Sequence, residues 1–210
     1  MRFFFISGVI PVSYIVCRRP ASVNTYSLTG AAWIGGMGLK TKEVIVEEYN
    51  TDWEDEFRRI EAFLDGKLHG KVLAIEHVGS TSVRGLAAKP VIDIDVVIED
   101  APRFDEVKSL LLLLDYVHEG DLGICGRESF RYKGAEDMMK HHLYVCTKDS
   151  SELRRHIIFR EHLREDKDDR EAYGCIKKQA ARLFPRDIDG YMETKAPIIK
   201  EIYRKLGLLD

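Results

Sequence analysis

Two aspartates, Asp93 and Asp95, interrupt the otherwise apolar sequence VIDIDVVI at residues 91–98. The branched residues predict a strand, in which residues two apart project to one face, about 6–7 Å apart along the backbone. Two like charges in apolar surroundings repel each other and lose hydration, so a compensating cation is expected. Oxygen ligands favour Mg²⁺ or Mn²⁺. Asp93 and Asp95 are therefore predicted to be metal ligands and catalytic residues.

A glycine followed by three hydroxyl residues precedes this strand, in the order Gly79, Ser80, Thr81, Ser82. The run comes directly after a short apolar segment that predicts another strand. A glycine there lets backbone amides approach an anion, and the hydroxyls add further donors. The four residues are predicted to bind the phosphates of a nucleotide. The alternative is a plain turn that carries a helix N-cap.

The aspartates also have a purely structural interpretation. Both could lie at the exposed end of the strand and pair with Lys89 or Arg84. Lys89 has two interpretations of its own, since it could neutralise a ligand phosphate or only support the carboxylates. It is included among the predicted phosphate-binding residues.

Histidines and arginines provide further candidates for phosphate binding. His141 and His142 are consecutive in a predicted strand, so only one of them can share a face with Tyr144. His142 is predicted to bind phosphate, with metal ligation as the lesser role and an ordinary strand position as the alternative. Arg127 and Arg160 are predicted to bind phosphate through their guanidinium forks, although surface salt bridges are the commoner explanation of a helical charge run.

The elements that must position these residues follow from periodicity. Branched residues predict a strand at 43–49, and helical spacing then predicts an amphipathic helix from Asn50 or Thr51 to Leu68. A leucine-rich helix at 102–116 is expected to be deeply buried. Later segments predict two antiparallel strands at 129–133 and 141–146, and then three helices with breaks near 167 and 185–187.

The composition of the chain limits its possible partners. Its 210 residues carry a formal net charge of −3, which provides no general attraction to nucleic acid or to an anionic membrane. Four scattered cysteines favour reduced thiols and a cytoplasmic location. Residues 1–40 are apolar and then rich in small residues, which indicates a poorly ordered extension, a misassigned start or a weak secretory signal. One folded domain is expected over residues 41–210.

The order of strand, Gly-Ser turn and Asp-x-Asp strand resembles the signature of polymerase-β-like nucleotidyltransferases. More closely, the run HVGSTSVRGLAAKPVIDIDVVI at residues 77–98 is similar to the GrpB family within that superfamily. Further similar elements are NTDW at 50–53, GRESF at 126–130, HHLYV at 141–145 and FREHLR at 159–164. The resemblance covers residues 43–206.

The resemblance implies an α+β fold, with a nucleotidyltransferase-like mixed β-sheet, flanking helices and a helical C-terminal region. It also implies a magnesium-dependent protein that binds a nucleoside triphosphate and transfers its nucleotidyl group to an unidentified acceptor. Tyr173, Lys177 and Lys195 lie on C-terminal helices that could cover such a site.

A complete site of this kind adds a third carboxylate on a neighbouring strand. The strand at 141–145 carries no acid, and Glu76 would need an unusual geometry to replace it. A second hypothesis is therefore a non-catalytic nucleotide- or metabolite-binding accessory module, as when related domains are joined to dephospho-coenzyme A kinase. Nucleic-acid binding is disfavoured, because the chain has no aromatic and basic stripe.

Overall fold

A computed structural model of the chain describes residues 43–134 and 138–209. The predictions for residues 1–40 lie outside this part of the chain. The elements, in chain order, are α1 (Asp52–Leu68), β1 (Ala74–Val78), β2 (Ile92–Ile98), α2 (Phe104–Leu112), β3 (Tyr116–Gly120), β4 (Glu128–Tyr132), β5 (His141–Thr147), α3 (Ser151–Glu165), α4 (Lys167–Leu183) and α5 (Ile188–Lys205).

The strands form a mixed five-stranded sheet in the order β1-β2-β5-β4-β3. β2 and β5 run parallel at its centre, whereas β1 pairs antiparallel with β2, and β4 pairs antiparallel with both β5 and β3. The chain between β2 and β5 passes through α2, β3 and β4, which provides the long crossover that parallel neighbours need. The α+β fold with a mixed sheet is confirmed.

One face of the sheet is the main hydrophobic core. Alternate residues of β2 point towards it, including Ile92, Ile94 and Val96, and none of the three is exposed to solvent. They pack against buried residues of α1 and α2 such as Leu64 and Leu111. Because side chains alternate along a strand, the residues between them, among which are the two aspartates, belong to the opposite face.

The three C-terminal helices lie near that opposite face. α3 contributes Leu153 to a cluster with Val97 of β2 and Cys146 of β5. α4 and α5 are joined to the Gly-Ser turn region by a second cluster, which includes Val83, Leu86, Leu163, Tyr173, Ile198 and Ile202. The predicted helix breaks are confirmed, because α3 ends at Glu165 and α4 begins after Asp166, whose side chain accepts a hydrogen bond from the backbone N–H of Asp169 at 2.9 Å.

Two predictions of local structure were wrong, and one strand was not predicted. Residues 43–49 form no strand but make one isolated bridge, between Glu47 and Ala88. The leucine-rich helix is shorter than predicted and only half-buried, because Val107 and Leu111 face the core whereas Leu112 is exposed. The strand β3 was missed altogether, because its sequence YVHEG follows the leucines without the alternating pattern that identifies a half-buried strand.

None of the helices within the described residues combines the length and apolar character that a membrane span needs.

Candidate functional site

Asp93 and Asp95 lie side by side on the face of β2 that is turned away from the main core. In the parallel pairing with β5, Asp93 stands opposite His142 and Asp95 stands opposite Tyr144. Asp95 is completely buried, whereas the side chain of Asp93 is 32% exposed. The sheet therefore presents a pair of carboxylates, with one deep in the protein and one open to solvent.

Each aspartate is hydrogen-bonded to a histidine. The Nδ1 of His142 donates to Oδ1 of Asp93 at 2.9 Å, and the Nδ1 of His156, on α3, donates to Oδ2 of Asp95 at 2.7 Å. Burial acts to lower the pKa of His156, but the hydrogen bond and the charge of Asp95 outweigh it and raise that pKa above its ordinary value. The other oxygen of Asp95, Oδ1, is buried and has no hydrogen-bond partner among the described residues.

Gly79 brings the turn after β1 against Asp93. Its φ of 69° and ψ of −170° belong to a region that only glycine occupies without strain. A Cβ at this position would overlap Oδ2 of Asp93 and lie 2.9 Å from its Cγ. Both the backbone conformation and the close approach therefore require glycine here.

The three hydroxyls that follow Gly79 have different partners. Thr81 Oγ1 donates to the carbonyl of Val91 at 3.3 Å, and Ser82 Oγ donates to the carbonyl of Gly79 at 2.6 Å. Both residues are buried, and their hydroxyls shape the turn. Ser80 differs, because its Oγ accepts a hydrogen bond from Nζ of Lys177 at 2.8 Å. Of the three predicted hydroxyl ligands, Ser80 is the one that faces a charged group.

A group of lysines, here called the lysine cluster, consists of Lys89, Lys177 and Lys195. Lys177 is 2% exposed. Its pKa lies well below the ordinary lysine value, mainly because of burial and to a lesser extent because of the nearby charge of Lys195. Burial also lowers the pKa of Lys89 and of Lys195, while the negative charge of Asp93 acts on all three in the opposite direction. No carboxylate among the described residues forms an ion pair with any of them.

The arginines of α3 support the turn. Arg160 donates to Glu76 Oε2 and to the carbonyl of His77, both at 2.8 Å. Arg164 donates to the carbonyl of Ser82 through Nη2 at 2.9 Å. Arg160, which the sequence predicts to bind phosphate, is thus occupied by protein groups and holds α3 to the end of β1.

Arg127 lies just before β4. It is on the β5 side of the carboxylate pair, opposite the side of β1 and the Gly-Ser turn. Its guanidinium carbon stands 4.1 Å from the centre of the Tyr144 ring, a cation–π arrangement. Its Nε is buried and has no hydrogen-bond partner within the described part of the chain. Of the two predicted arginines, Arg160 donates to protein acceptors, whereas Arg127 has an N–H group without a described acceptor.

A third carboxylate is nearer than the sequence suggests. Glu76 of β1 stands directly opposite Asp95 in the antiparallel pairing, and therefore on the same face of the sheet. Its charge is already matched by Arg160 at 2.8 Å. On β5, the position beside Asp93 is held by His142. Asp93 thus has His142 beside it on β5, and Asp95 has Glu76 beside it on β1.

The alternative interpretation, in which the aspartates pair with Lys89 or Arg84, does not match the observed contacts. Arg84 pairs with Glu54 at 3.2 Å and its side chain is 77% exposed, and Lys89 forms no ion pair with Asp93 among the described contacts. The observed partners of the aspartates are histidines.

Sequence reasoning did not identify His156 and only noted Lys177 as a residue that could cover the site. Lys177 shares the buried face of α4 with Tyr173 and Ala180, and a lysine on a face of this kind is the signal that identifies it. His156 left no comparable signal, because its partner lies 61 residues away along the chain.

Comparison with known proteins shows which family the chain belongs to. Residues 43–205 match the family model described as GrpB protein. The chain belongs to the GrpB family. The crystal structure of a conserved GrpB protein from Enterococcus faecalis is 35% identical and covers 78% of this chain and 99% of its own, with a TM-score of 0.66. A UPF0157 protein from Halalkalibacterium halodurans is 31% identical over 179 residues, which is 82% of this chain and 87% of that protein.

The GrpB fold extends to a more distant protein. The structure of a GLD-2/RNP-8 complex is similar at a TM-score of 0.52 and 12% identity, over 75% of this chain and 61% of that one. At this identity the likeness concerns the fold alone.

Some relatives of this GrpB chain are much longer than the matched region. The chain spans 46% of a UPF0157 protein from Bacillus subtilis, at 29% identity over 159 residues, or 76% of this chain. It spans 44% of a dephospho-CoA kinase from Mycolicibacterium paratuberculosis, at 25% identity over 179 residues, or 73% of this chain.

Proposed function

We propose that this GrpB chain binds a nucleoside triphosphate with Mg²⁺ and transfers its nucleotidyl group to an acceptor hydroxyl. One observation carries the proposal. The carboxylate pair of Asp93 and Asp95 lies next to a buried lysine, Lys177, which is hydrogen-bonded to Ser80 and has no acidic partner in the described residues. Carboxylates that suit a metal ion and amines that suit phosphate therefore lie beside the same turn.

The residues at the aspartates fit a divalent cation. A buried carboxylate oxygen without a partner, as found at Asp95 Oδ1, is costly unless a cation or donor is supplied. The donor set consists of oxygens, which suits Mg²⁺ or Mn²⁺. Asp93 and Asp95 would hold the ion. When bound, Mg²⁺ supplies charge neutralisation at the phosphates and at the leaving group.

The lysine cluster and the Gly79 turn would hold the triphosphate. Burial strips water from Lys177 and Lys195, so a phosphate replaces lost hydration and favours the charged form of both amines. Ser80 adds a hydroxyl to the same side, and the turn backbone at Gly79 keeps the phosphates close to Asp93. These groups position the α-phosphate beside the carboxylates.

Transfer then requires an acceptor hydroxyl opposite the leaving group. The acceptor oxygen forms a bond to the α-phosphorus, and the bond from that phosphorus to the oxygen bridging to the β-phosphate breaks. Pyrophosphate leaves with that electron pair, and the acceptor proton passes to solvent water. Catalysis of this kind relies on positioning and charge neutralisation, which the described groups can supply.

Pyrophosphate release tests the reaction. The purified protein is incubated with each labelled nucleoside triphosphate and Mg²⁺, in the presence of a panel of hydroxyl compounds. Acceptor-dependent pyrophosphate release, abolished by Asp93→Asn, supports transfer.

The second candidate function is a non-catalytic nucleotide-binding module. It is favoured by the residue beside Asp93 on β5, which is His142 instead of a carboxylate. The similarity to part of a dephospho-CoA kinase is compatible with an accessory role. Tight nucleotide binding without pyrophosphate release across the acceptor panel would support the module and contradict transfer.

A further inference from the structure

Arg127 makes no salt bridge in the part of the chain that the structure describes. No carboxylate of residues 43–134 or 138–209 forms an ion pair with it, and its Nε is buried without a hydrogen-bond partner. A guanidinium presents five N–H donors, and a buried donor without a partner costs free energy. The neighbouring Arg131, by contrast, is paired with Glu119 at 2.7 Å.

The position of Arg127 is fixed from two sides. Its guanidinium rests on the ring of Tyr144 at 4.1 Å. The preceding residue, Gly126, has a φ of 81°, and its carbonyl accepts a hydrogen bond from Ser150 Oγ at 2.8 Å. Ser150 is also the N-cap of α3, the helix that carries His156. The arginine is thus held in place before any ligand arrives.

Arg127 and the lysine cluster lie on opposite sides of the aspartates. Gly79 and Ser80 follow β1, which borders β2 on one side, and Lys177 is bonded to Ser80. Tyr144 belongs to β5, which borders β2 on the other side, and Arg127 covers its ring. A triphosphate bound by the lysines would therefore leave Arg127 free on the far side.

We propose that Arg127, presented on Tyr144, binds an anionic group of the acceptor. The inference rests on the proposed function, because the far side of the aspartates is where an acceptor hydroxyl must approach the α-phosphate. The acceptor class is then a hydroxyl compound that carries a phosphate or a carboxylate. Both anions match the planar fork of arginine through paired hydrogen bonds.

Calorimetric binding in two stages tests this assignment. The wild-type protein is first saturated with Mg²⁺ and a non-hydrolysable α,β-methylene triphosphate. The complex is then titrated with three related probes, which are glycerol 3-phosphate, glycerate and glycerol. Arg127→Met keeps the aliphatic stem on Tyr144, Arg127→Lys keeps the charge without the fork, and Arg131→Met is the matched control. Thermal melting confirms that each variant is folded.

The wild-type complex is expected to bind glycerol 3-phosphate or glycerate at least about tenfold more tightly than glycerol. Arg127→Met removes this preference, Arg127→Lys retains part of it, and Arg131→Met retains all of it, while every variant binds the nucleotide normally. The better of the two anionic probes identifies the acceptor anion as phosphate or carboxylate.

Three outcomes overturn the assignment. The first is equal binding of the anionic probes by wild type and Arg127→Met, and the second is no preference over glycerol in the wild type. The third is loss of nucleotide binding in Arg127→Met, which would show that the arginine binds the triphosphate and not the acceptor. A wild-type protein that binds no nucleotide in the first stage instead refutes the proposed function, so the two failures are distinguishable.

Discussion

At the residue scale, the site contains buried ionisable groups whose hydrogen bonds and ion pairs within the described residues are incomplete. Lys177 is buried against Ser80 and the ring of Tyr173, whose centre lies 4.3 Å from Nζ. Asp95 is buried against a histidine, and one of its oxygens has no described partner. Arrangements of this kind cost stability and persist where they have a use, which is the physical reason to expect a ligand.

Replacement of Lys177 by methionine should weaken triphosphate binding and strengthen the fold. Methionine has a similar length and no charge to desolvate, so the free energy of unfolding at neutral pH is expected to rise by about 1 kcal/mol. Nucleotide affinity should fall about tenfold or more, as measured by calorimetry. Lys178→Met is the control, because Lys178 is exposed on the same helix and pairs with Glu48. A loss of stability without any loss of affinity would contradict the assigned role.

Acid should destabilise the fold through His77. Burial lowers the pKa of His77 to about 4 from 6.5, since its ring is stacked on Phe57 with centres 4.5 Å apart. Between these two values the unfolded chain binds a proton that the folded chain does not, so stability is lost as the pH falls from 6.5 to 4. The loss attributable to His77 is about 3 kcal/mol.

Thermal melting between pH 7 and pH 4 measures this loss. His77→Gln should remove much of the decline, because glutamine does not titrate. His69→Gln, at an exposed position on the surface, should leave the decline as it is in the wild type. Parallel pH profiles for wild type and His77→Gln would count against the account.

At the element scale, the turn between β1 and β2 contacts three other elements, which are β2, α3 and α4. Gly79 of the turn packs on Asp93, Arg164 of α3 donates to the carbonyl of Ser82, and Arg160 of α3 donates to the carbonyl of His77 just before the turn. Its Ser80 hydroxyl bonds to Lys177 of α4. A change in this turn should therefore alter both stability and ligand binding.

Gly79→Ala should be strongly damaging. The alanine Cβ would overlap the Asp93 carboxylate, and the backbone conformation would be strained by about 1–3 kcal/mol before the clash is counted. Gly70→Ala separates the two effects, because Gly70 has a φ of 71° with no heavy atom within 4 Å of an added Cβ. Chemical denaturation should show a larger loss for Gly79→Ala than for Gly70→Ala. Equal losses would show that the close contact with Asp93 is unimportant.

Elements with regular patterns were predictable, and elements defined by tertiary contacts were not. The amphipathic spacing of α1 and the alternation in β2 predicted these two elements correctly. β3 was missed, and residues 43–49 form only one bridge, because pairing with distant strands decides whether such short segments become strands. Ion pairs across the fold, such as Arg160 with Glu76 over 84 residues, leave no local trace in the sequence.

At the scale of the whole molecule, the GrpB fold brings two cationic regions and one acidic pair together in a chain with a net charge of −3. The aspartates and the Gly-Ser turn could be identified from spacing, since the turn follows β1 and the aspartates lie on the next strand, β2. The positions of Lys177, Arg127 and His156 around them depend on how α4, the loop before β4 and α3 pack on the sheet, and the sequence alone does not determine that packing.

Magnesium-dependent nucleotide binding is the most direct test of the central claim. Calorimetry and thermal melting would compare the wild type with the folded double variant Asp93→Asn, Asp95→Asn, for each nucleoside triphosphate with and without Mg²⁺. A ligand that binds the native state raises its melting temperature, so the wild type should be stabilised by at least one triphosphate when Mg²⁺ is present. The double variant should lose this magnesium-dependent gain. Unchanged magnesium-dependent binding in the folded double variant, or no triphosphate binding by the wild type, would contradict the claim.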